Sequence, residues 1–288
     1  MAAITASAVK DLREKTGVGM MEAKKALEEA GGEIEKAVDI LRKKGLSAAA
    51  KKSARVASEG MIASARQGTA GVLIEVNSET DFVAKNEEFQ KFARGLAGLV
   101  AEKAPADVAA LSQLTLDGEN VEAKRNGLVQ KIGENITIRR FERFQTGDRL
   151  AIYLHGTRIG VMVEYSGGDE QLGKDIAMHI AAANPLFLSR ETVDAAAVAR
   201  ERSVCEAQAK ETGKPDNVIA KIVDGKMEKY YGENCLLEQI YIKDPDGKQK
   251  VKNILKGASV KRFVRMQLGE GIEKKKTDFA EEVAAQLK

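Results

Sequence analysis

The chain has no tryptophan, two histidines and two cysteines in 288 residues, and aromatic residues make up only 5% of it. With so few rings, an aromatic-lined sugar site or a stacking platform for single-stranded nucleic acid is not expected. Cys205 and Cys235 stand too far apart for a CxxC motif. Each reads as a small buried hydrophobe or a free thiol, which fits a reducing compartment. No apolar run approaches the roughly 20 residues of a membrane span, and the N-terminus lacks a secretory apolar core, so a cytoplasmic protein without membrane contact is expected. Charge of either sign is not in excess: 46 Lys and Arg face 43 Asp and Glu, a net +3. That balance does not call for a specific nucleic-acid partner, although local basic patches stay open.

Catalytic signatures are missing too. There is no GxxxxGK[ST] phosphate loop and no GxGxxG following a strand. No Ser or Cys sits in a nucleophile motif. His155 and His179 lie near the two ends of one hairpin–helix unit, but no third ligand stands at metal-site spacing. His179, within Ile176-Ala177-Met178-His179-Ile180, reads as a satisfied helix residue. Most Asp and Glu fall on helix surfaces. The sequence therefore points to no catalytic residue, no metal and no cofactor.

What is present is an apolar fraction of 43% and a charged fraction of 31%, the balance of a soluble globular chain long enough for two or three units. Residues 1–46 read as three short helices. Thr5 caps the first, Gly17 stops it, Gly31-Gly32 end the second and Gly45 ends the third. Apolar stripes (Val9 and Leu12; Met20, Ala23, Leu27 and Ala30; Ile34, Val38 and Leu41) would pack these helices on one another. Residues 47–58 form a small basic linker, read as a partly helical solvated tether or as an arm toward nucleic acid or the ribosome.

From Glu59 the period shortens to that of strands. Met61–Arg66 and Gly71–Val76 form a hairpin through Gln67-Gly68-Thr69-Ala70. A helix with Phe89, Phe92, Leu96, Leu99 and Val100 on one stripe follows, then a helix near Asn120–Ile132 and an alternating strand, Asn135–Phe144. The pattern recurs: Gly160–Tyr165 matches Gly71–Val76, Gly156-Thr157 matches Gly68-Thr69, and a helix near Glu170–Ala183 follows. Two related α+β subdomains with small antiparallel sheets are expected, at 59–145 and at 146–188 with 234–270. Residues 189–233 read as an inserted antiparallel helical hairpin broken at Gly213-Lys214-Pro215. Its function could be to contact a second copy or another partner, or it could dock on its own chain. Strands are expected at Leu236–Ile242 and Val260–Met266. Residues 271–288 would form a C-terminal docking module whose helix carries Phe279, Val283 and Leu287 on one face.

The stretch that stands out is Thr80-Asp81-Phe82-Val83-Ala84-Lys85-Asn86, which places a large apolar ring among charges. The residues alone leave two readings open: Phe82 extends the stripe of Phe89 and Phe92 into the core, or it is shown to a partner. The second repeat has Gly167-Gly168-Asp169 at the equivalent place and no ring. Thr277-Asp278-Phe279 repeats the tripeptide at a helix start, where a capping Thr or Asp is ordinary.

Four motifs in order resemble the bacterial translation elongation factor Ts family over almost the whole chain. They are Leu12–Met21 with Lys24–Leu27; Glu75-Val76-Asn77 leading to Thr80–Asn86; His155-Gly156 with Arg158–Val161 and, further on, Ile176–Ala182; and Gly269–Lys274. The resemblance implies an α+β multidomain protein with an N-terminal ubiquitin-associated-like helical domain. It implies a guanine-nucleotide exchange factor, not an enzyme of covalent chemistry, whose partner is the GTPase elongation factor Tu. By resemblance Thr80, Asp81, Phe82 and Val83 would engage that partner beside its magnesium ion, with Phe82 as the wedge. His155, Gly156, Arg158, Ile159 and Gly160 would touch a second domain of the partner, and Ile272, Phe279 and Val283 would dock the C-terminal module. The helical hairpin would be a dimerisation surface in some members. The alternative is a ribosome- or RNA-associated binding protein without exchange activity. With the asymmetry between the repeats, the resemblance leads to the expectation that Phe82 is exposed on the free protein.

Overall fold

The computed structural model describes residues 4–16 and 18–273. Its chain divides into two compact units: residues up to 65 with 74–141 and those from 267 on, and residues 66–73 with 142–266.

The first unit begins with α1 (Ala6–Thr16), α2 (Met20–Glu29) and α3 (Ile34–Lys52). Thr5 Oγ1 accepts the Ala8 N–H at 3.2 Å, as its capping role required. Leu12, Leu27, Ala23, Ala26, Ala37 and Leu41 are buried together, so three short helices share one small core. Gly45 does not end the third helix, which runs on to Lys52. A side chain at Gly45 would come within 2.7 Å of Gln130 Oε1, so the glycine serves a close helix–helix approach instead. The chain beyond Lys52 is also held, since Asn135 Nδ2 donates to the Arg55 carbonyl at 2.8 Å.

The next elements are β1 (Glu59–Gln67), β2 (Ala70–Ser78), α4 (Asp81–Ala84), α5 (Glu87–Lys103), α6 (Val108–Gln113), β3 (Thr115–Leu116), β4 (Glu119–Asn120), α7 (Val121–Ile132) and β5 (Thr137–Gln145). The sheet order is β1-β2-β5. β2 is the middle strand and is buried at every position, which explains its almost continuous apolar run. Gly68 turns the β1–β2 hairpin at φ +57, a backbone that side-chain-bearing residues disfavour. Phe89, Phe92, Leu96, Leu99 and Val100 are all buried on α5. Helix α7, which carries Gln130, packs against α3.

The second unit contains β6 (Arg149–His155), β7 (Ile159–Ser166), α8 (Glu170–Ala183), α9 (Ala195–Lys210), α10 (Asp216–Asn234), α11 (Val251–Ile254) and β8 (Ser259–Gln267). β6 pairs antiparallel with β7, His155 opposite Ile159 and Arg149 opposite Tyr165, in a sheet of order β6-β7-β8. Gly156 turns this hairpin at φ +59, the counterpart of Gly68. Both sheets thus consist of a hairpin with a later strand beside its second member. Val161, Val163 and Tyr165 of β7 share a core with Ile176, Ala177 and Ile180 of α8. Helices α9 and α10 pack on one another around Cys205, Ala209, Val223 and Met227.

The expected strand at Leu236–Ile242 is not formed. Leu236–Glu238 is a 3-10 turn, and Ile240 makes only an isolated bridge with Lys250. The backbone there bonds mostly to other loops, the Leu236 and Leu237 N–H groups donating to the Phe187 and Leu188 carbonyls at 2.9 and 3.1 Å, and side chains add to it. Gln239 Nε2 donates to the Glu233 carbonyl at 2.7 Å, and the Ile242 N–H donates to His179 Nδ1 at 3.3 Å. Leu236 is buried and Leu237 and Tyr241 are half-buried without a ladder, while Ile240 and Ile242 are exposed, so the apolar run mimics a strand in sequence alone. The helix expected near Asp278–Leu287 lies outside the described residues.

Candidate partner-docking site

The site is built at the C-terminal end of β2. In the second repeat only two residues, 167–168, separate the strand end Ser166 from Asp169, the cap of α8. In the first repeat seven residues, 79–85, separate Ser78 from Asn86, the cap of α5. Those extra residues form α4. Because Asn86 Oδ1 accepts the N–H groups of Glu88 and Phe89 at 3.0 and 3.1 Å, α5 begins independently of α4. Phe82 is therefore not needed to continue the α5 stripe.

Val83 and Ala84 are buried and anchor one side of α4, while Asp81 and Phe82 face solvent. Phe82 is 77% exposed, the most exposed of the large hydrophobic residues described. The sequence expectation of an exposed ring is met. Lys85 Nζ lies 3.1 Å from Asp81 Oδ2 and 5.5 Å from the centre of the Phe82 ring, so one cation faces both side chains.

Thr80 holds the N-cap position of α4 but does not cap it. Its hydroxyl donates to Glu134 Oε1 at 2.6 Å and its N–H donates to Glu134 Oε2 at 2.9 Å. The ordinary capping role suggested by the tripeptide is thus replaced by a tertiary link. Glu79 Oε1 in turn accepts the Asn135 N–H at 2.6 Å, so residues 79–80 and 134–135 exchange carboxylates. Ser78 Oγ donates to the Thr80 carbonyl at 2.9 Å. Nothing in the sequence marked Glu134, which lies 54 residues from Thr80.

The same strand carries a second polar centre. Glu75 is fully buried on β2. Its Oε1 accepts from Arg139 Nη1 at 2.9 Å, Asn77 Nδ2 at 3.1 Å and the Gly269 N–H at 2.8 Å, and its Oε2 accepts from Arg140 Nε at 2.7 Å. Burial pushes this carboxyl upward. The Gly269 N–H, both guanidinium groups and Asn77 outweigh it and hold the pKa below the ordinary carboxylate value. Arg140 also reaches the Gln267 carbonyl at 3.2 Å, and Arg139 Nη2 donates to the Glu270 carbonyl. This cluster ties the start of the C-terminal segment to β2 and β5.

The other expected contact residues fall elsewhere. His155, Gly156 and Arg158 are exposed at the β6–β7 turn, Ile159 is half-buried and Gly160 is buried in β7. They belong to the second unit, whereas Thr80, Asp81, Phe82 and Val83 belong to the first. Ile272 is half-buried, its N–H donating to the Gly269 carbonyl at 3.1 Å. Phe279 and Val283 lie outside the described residues. His179 is buried on α8, its Nε2–H donating to Gln239 Oε1 at 2.9 Å, and desolvation lowers its pKa against that bond. Cys205 and Cys235 are buried free thiols whose pKa values desolvation raises, which makes them poor nucleophiles. Among the described residues no group of His, Cys, Asp and Glu could hold a metal ion, and no helix is long and apolar enough to cross a membrane.

An exposed aromatic on a short helix, anchored from behind and displayed by a buried strand, has the chemistry of a residue suited to docking on another protein. Comparison with known proteins names the family. A family profile described as "Elongation factor TS" matches residues 79–270. Elongation factor Ts of Paraburkholderia xenovorans is 55% identical over 289 aligned positions, covering 100% of this chain and 98% of the relative. Elongation factor Ts of Burkholderia multivorans and that of Cupriavidus necator are each 54% identical with the same coverage. The chain belongs to the elongation factor Ts family. Its function is accordingly that of a guanine-nucleotide exchange factor for elongation factor Tu in translation elongation.

Proposed function

We propose that the chain promotes GDP release by pressing Phe82 into the nucleotide-binding domain of elongation factor Tu beside its magnesium ion. The observation that carries this reading is the 77% exposure of Phe82 on a helix whose other face, Val83 and Ala84, is buried. Magnesium bridges the nucleotide phosphates and balances their charge, so displacing the groups that hold it weakens GDP. Asp81 is the polar neighbour of the wedge, and Thr80 and Val83 fix its base. The process makes and breaks no covalent bond, and the chain itself needs no metal or cofactor for it.

His155, Gly156, Arg158, Ile159 and Gly160 form a second contact on another domain of the partner, and Ile272, Phe279 and Val283 dock the C-terminal module. α1–α3 are the ubiquitin-associated-like domain. α9 and α10 are the helical hairpin, on which Val204, 44% exposed, marks the face for a second copy. The reaction takes place in the cytoplasm, where its partner works, and needs no direct nucleic-acid contact by this chain.

Coupling between the two ligands of the partner is reciprocal, which supplies the test. The ratio of this chain's affinities for nucleotide-free and GDP-bound elongation factor Tu measures how far it weakens GDP. Burying one Phe contributes about 1.5–3 kcal/mol, or roughly 10- to 150-fold. Phe82→Ala should shrink the ratio by that factor. A ratio equal to that of the unaltered chain would remove Phe82 from the mechanism.

A further inference from the structure

We propose that Glu134 is a positioning residue for nucleotide exchange, acting through Thr80 to fix the direction in which Asp81 and Phe82 project. The inference rests on the reading of Phe82 as the wedge. α4 has four residues, too few to be stable by its own hydrogen bonds. A wedge on such a turn transmits force only if its base is fixed from outside. The buried Val83 and Ala84 supply one anchor, and Glu134 supplies the other.

The geometry is specific. Both carboxylate oxygens of Glu134 are used, one on the N–H and one on the hydroxyl of Thr80, the residue immediately before Asp81. Thr80 gives up its capping bond to make this link. The converse bond from the Asn135 N–H to Glu79 ties the same two chain segments a second time. Thr80 and Glu134 are both partly buried, which strengthens charge-assisted bonds relative to bulk water. Neither bond touches the exposed ring. Glu134 therefore holds the turn without contributing to the surface the ring presents.

The chemistry also distinguishes positioning from charge. A glutamine at 134 can accept the Thr80 N–H through its carbonyl and donate its amide to the Thr80 hydroxyl, which accepts as well as donates. Both links survive with the charge gone.

The test is a kinetic double-mutant cycle. GDP release from elongation factor Tu loaded with fluorescent GDP is followed by stopped flow at saturating exchange factor. Thermal melting checks that each variant is folded. Glu134→Ala should lower the maximal release rate about tenfold, equivalent to about 1.4 kcal/mol. Glu134→Gln should stay within about twofold of the unaltered chain, and Glu134→Ala should add less than about twofold to the loss already caused by Phe82→Ala. If Glu134→Ala does not fold, Thr80→Val removes the hydroxyl link alone and should give about a threefold loss with the same dependence on Phe82. An unchanged rate in Glu134→Ala, with Phe82→Ala slow, overturns the role of Glu134 and leaves the wedge standing. A full tenfold loss in the Phe82→Ala background, or a Glu134→Gln rate as low as that of Glu134→Ala, also overturns it. An unchanged rate in Phe82→Ala overturns the wedge and this inference together.

Discussion

Replacing Glu75 by glutamine changes one atom at the centre of the cluster that holds the C-terminal segment. Oε1 accepts from three donors and Oε2 from one, so the new amide group would settle on the Oε2 side, facing Arg140 Nε. That turns one charge-assisted bond into two opposed donors. It also leaves two guanidinium groups beside a buried position with no anion to balance them. Breaking a buried ion pair by removing one partner costs about 3–5 kcal/mol. Arg139 and Arg140 retain 25% and 36% side-chain exposure, and water around them reduces this to about 2–4 kcal/mol. The loss is read where it acts. The Gly269 N–H is bound to Glu75, so its hydrogen exchange should speed up roughly 30- to 700-fold in Glu75→Gln, with amides of the α1–α3 core unaffected. The sign with pH follows from the lowered pKa. The contribution of Glu75 is present above the ordinary carboxylate pKa and is lost as pH falls through its depressed folded value. The difference between variant and parent should therefore shrink in acid. Gly269 exchange that is unchanged at neutral pH would refute the assignment of Glu75 as the anchor of this segment.

Other expectations concern the second unit. Glu238 lies between Lys250, Lys252 and Arg190; Lys250 first, then Lys252 and Arg190, against burial, hold its pKa down to about 2. Its contribution, about 2 kcal/mol after solvent screening of the three cations, is present above the ordinary value of 4.5 and lost as pH falls toward 2. The stability gap between Glu238→Gln and the parent, from urea unfolding, should narrow over that range, and a constant gap would contradict the pairing. Gly173 lies so close to Tyr165 that a methyl group there would come within 2.5 Å of the ring, which its hydroxyl ties to the Asp169 carbonyl at 3.0 Å. Overpacking costs about 1–3 kcal/mol against a helix-propensity gain near 1 kcal/mol. Gly173→Ala should lower the melting temperature, and an unchanged value would mean that β7 and α8 can part freely.

Period and turn residues made the repeated part of the fold legible. Gly68-Thr69 and Gly156-Thr157 mark two hairpins, and both glycines have the positive φ such turns need. The stripe from Phe89 to Val100 is buried as its spacing requires. Reading failed where tertiary contacts decide. Gly45 looks like a helix stop until Gln130 of α7 is seen beside it. Leu236–Ile242 looks like a strand until the Phe187, Leu188 and Gln249 carbonyls and His179 are seen to take its N–H groups. The exposure of Phe82 was reachable from the missing ring in the second repeat taken together with the family resemblance, while the residues alone left the core reading open. Glu134 and the Arg139–Arg140 pair were not reachable. Their partners lie 54 to 65 residues away, and a lone Glu or a pair of Arg on a strand carries no local signal.

The central claim is that one exposed ring transmits binding into nucleotide release. It is tested most directly by the rate of fluorescent GDP release from elongation factor Tu, measured by stopped flow against exchange-factor concentration. Phe82→Ala should remain folded, because the ring it removes is 77% exposed, and should lower the maximal rate roughly 10- to 150-fold. A folded Phe82→Ala chain that releases GDP as fast as its parent would contradict the account.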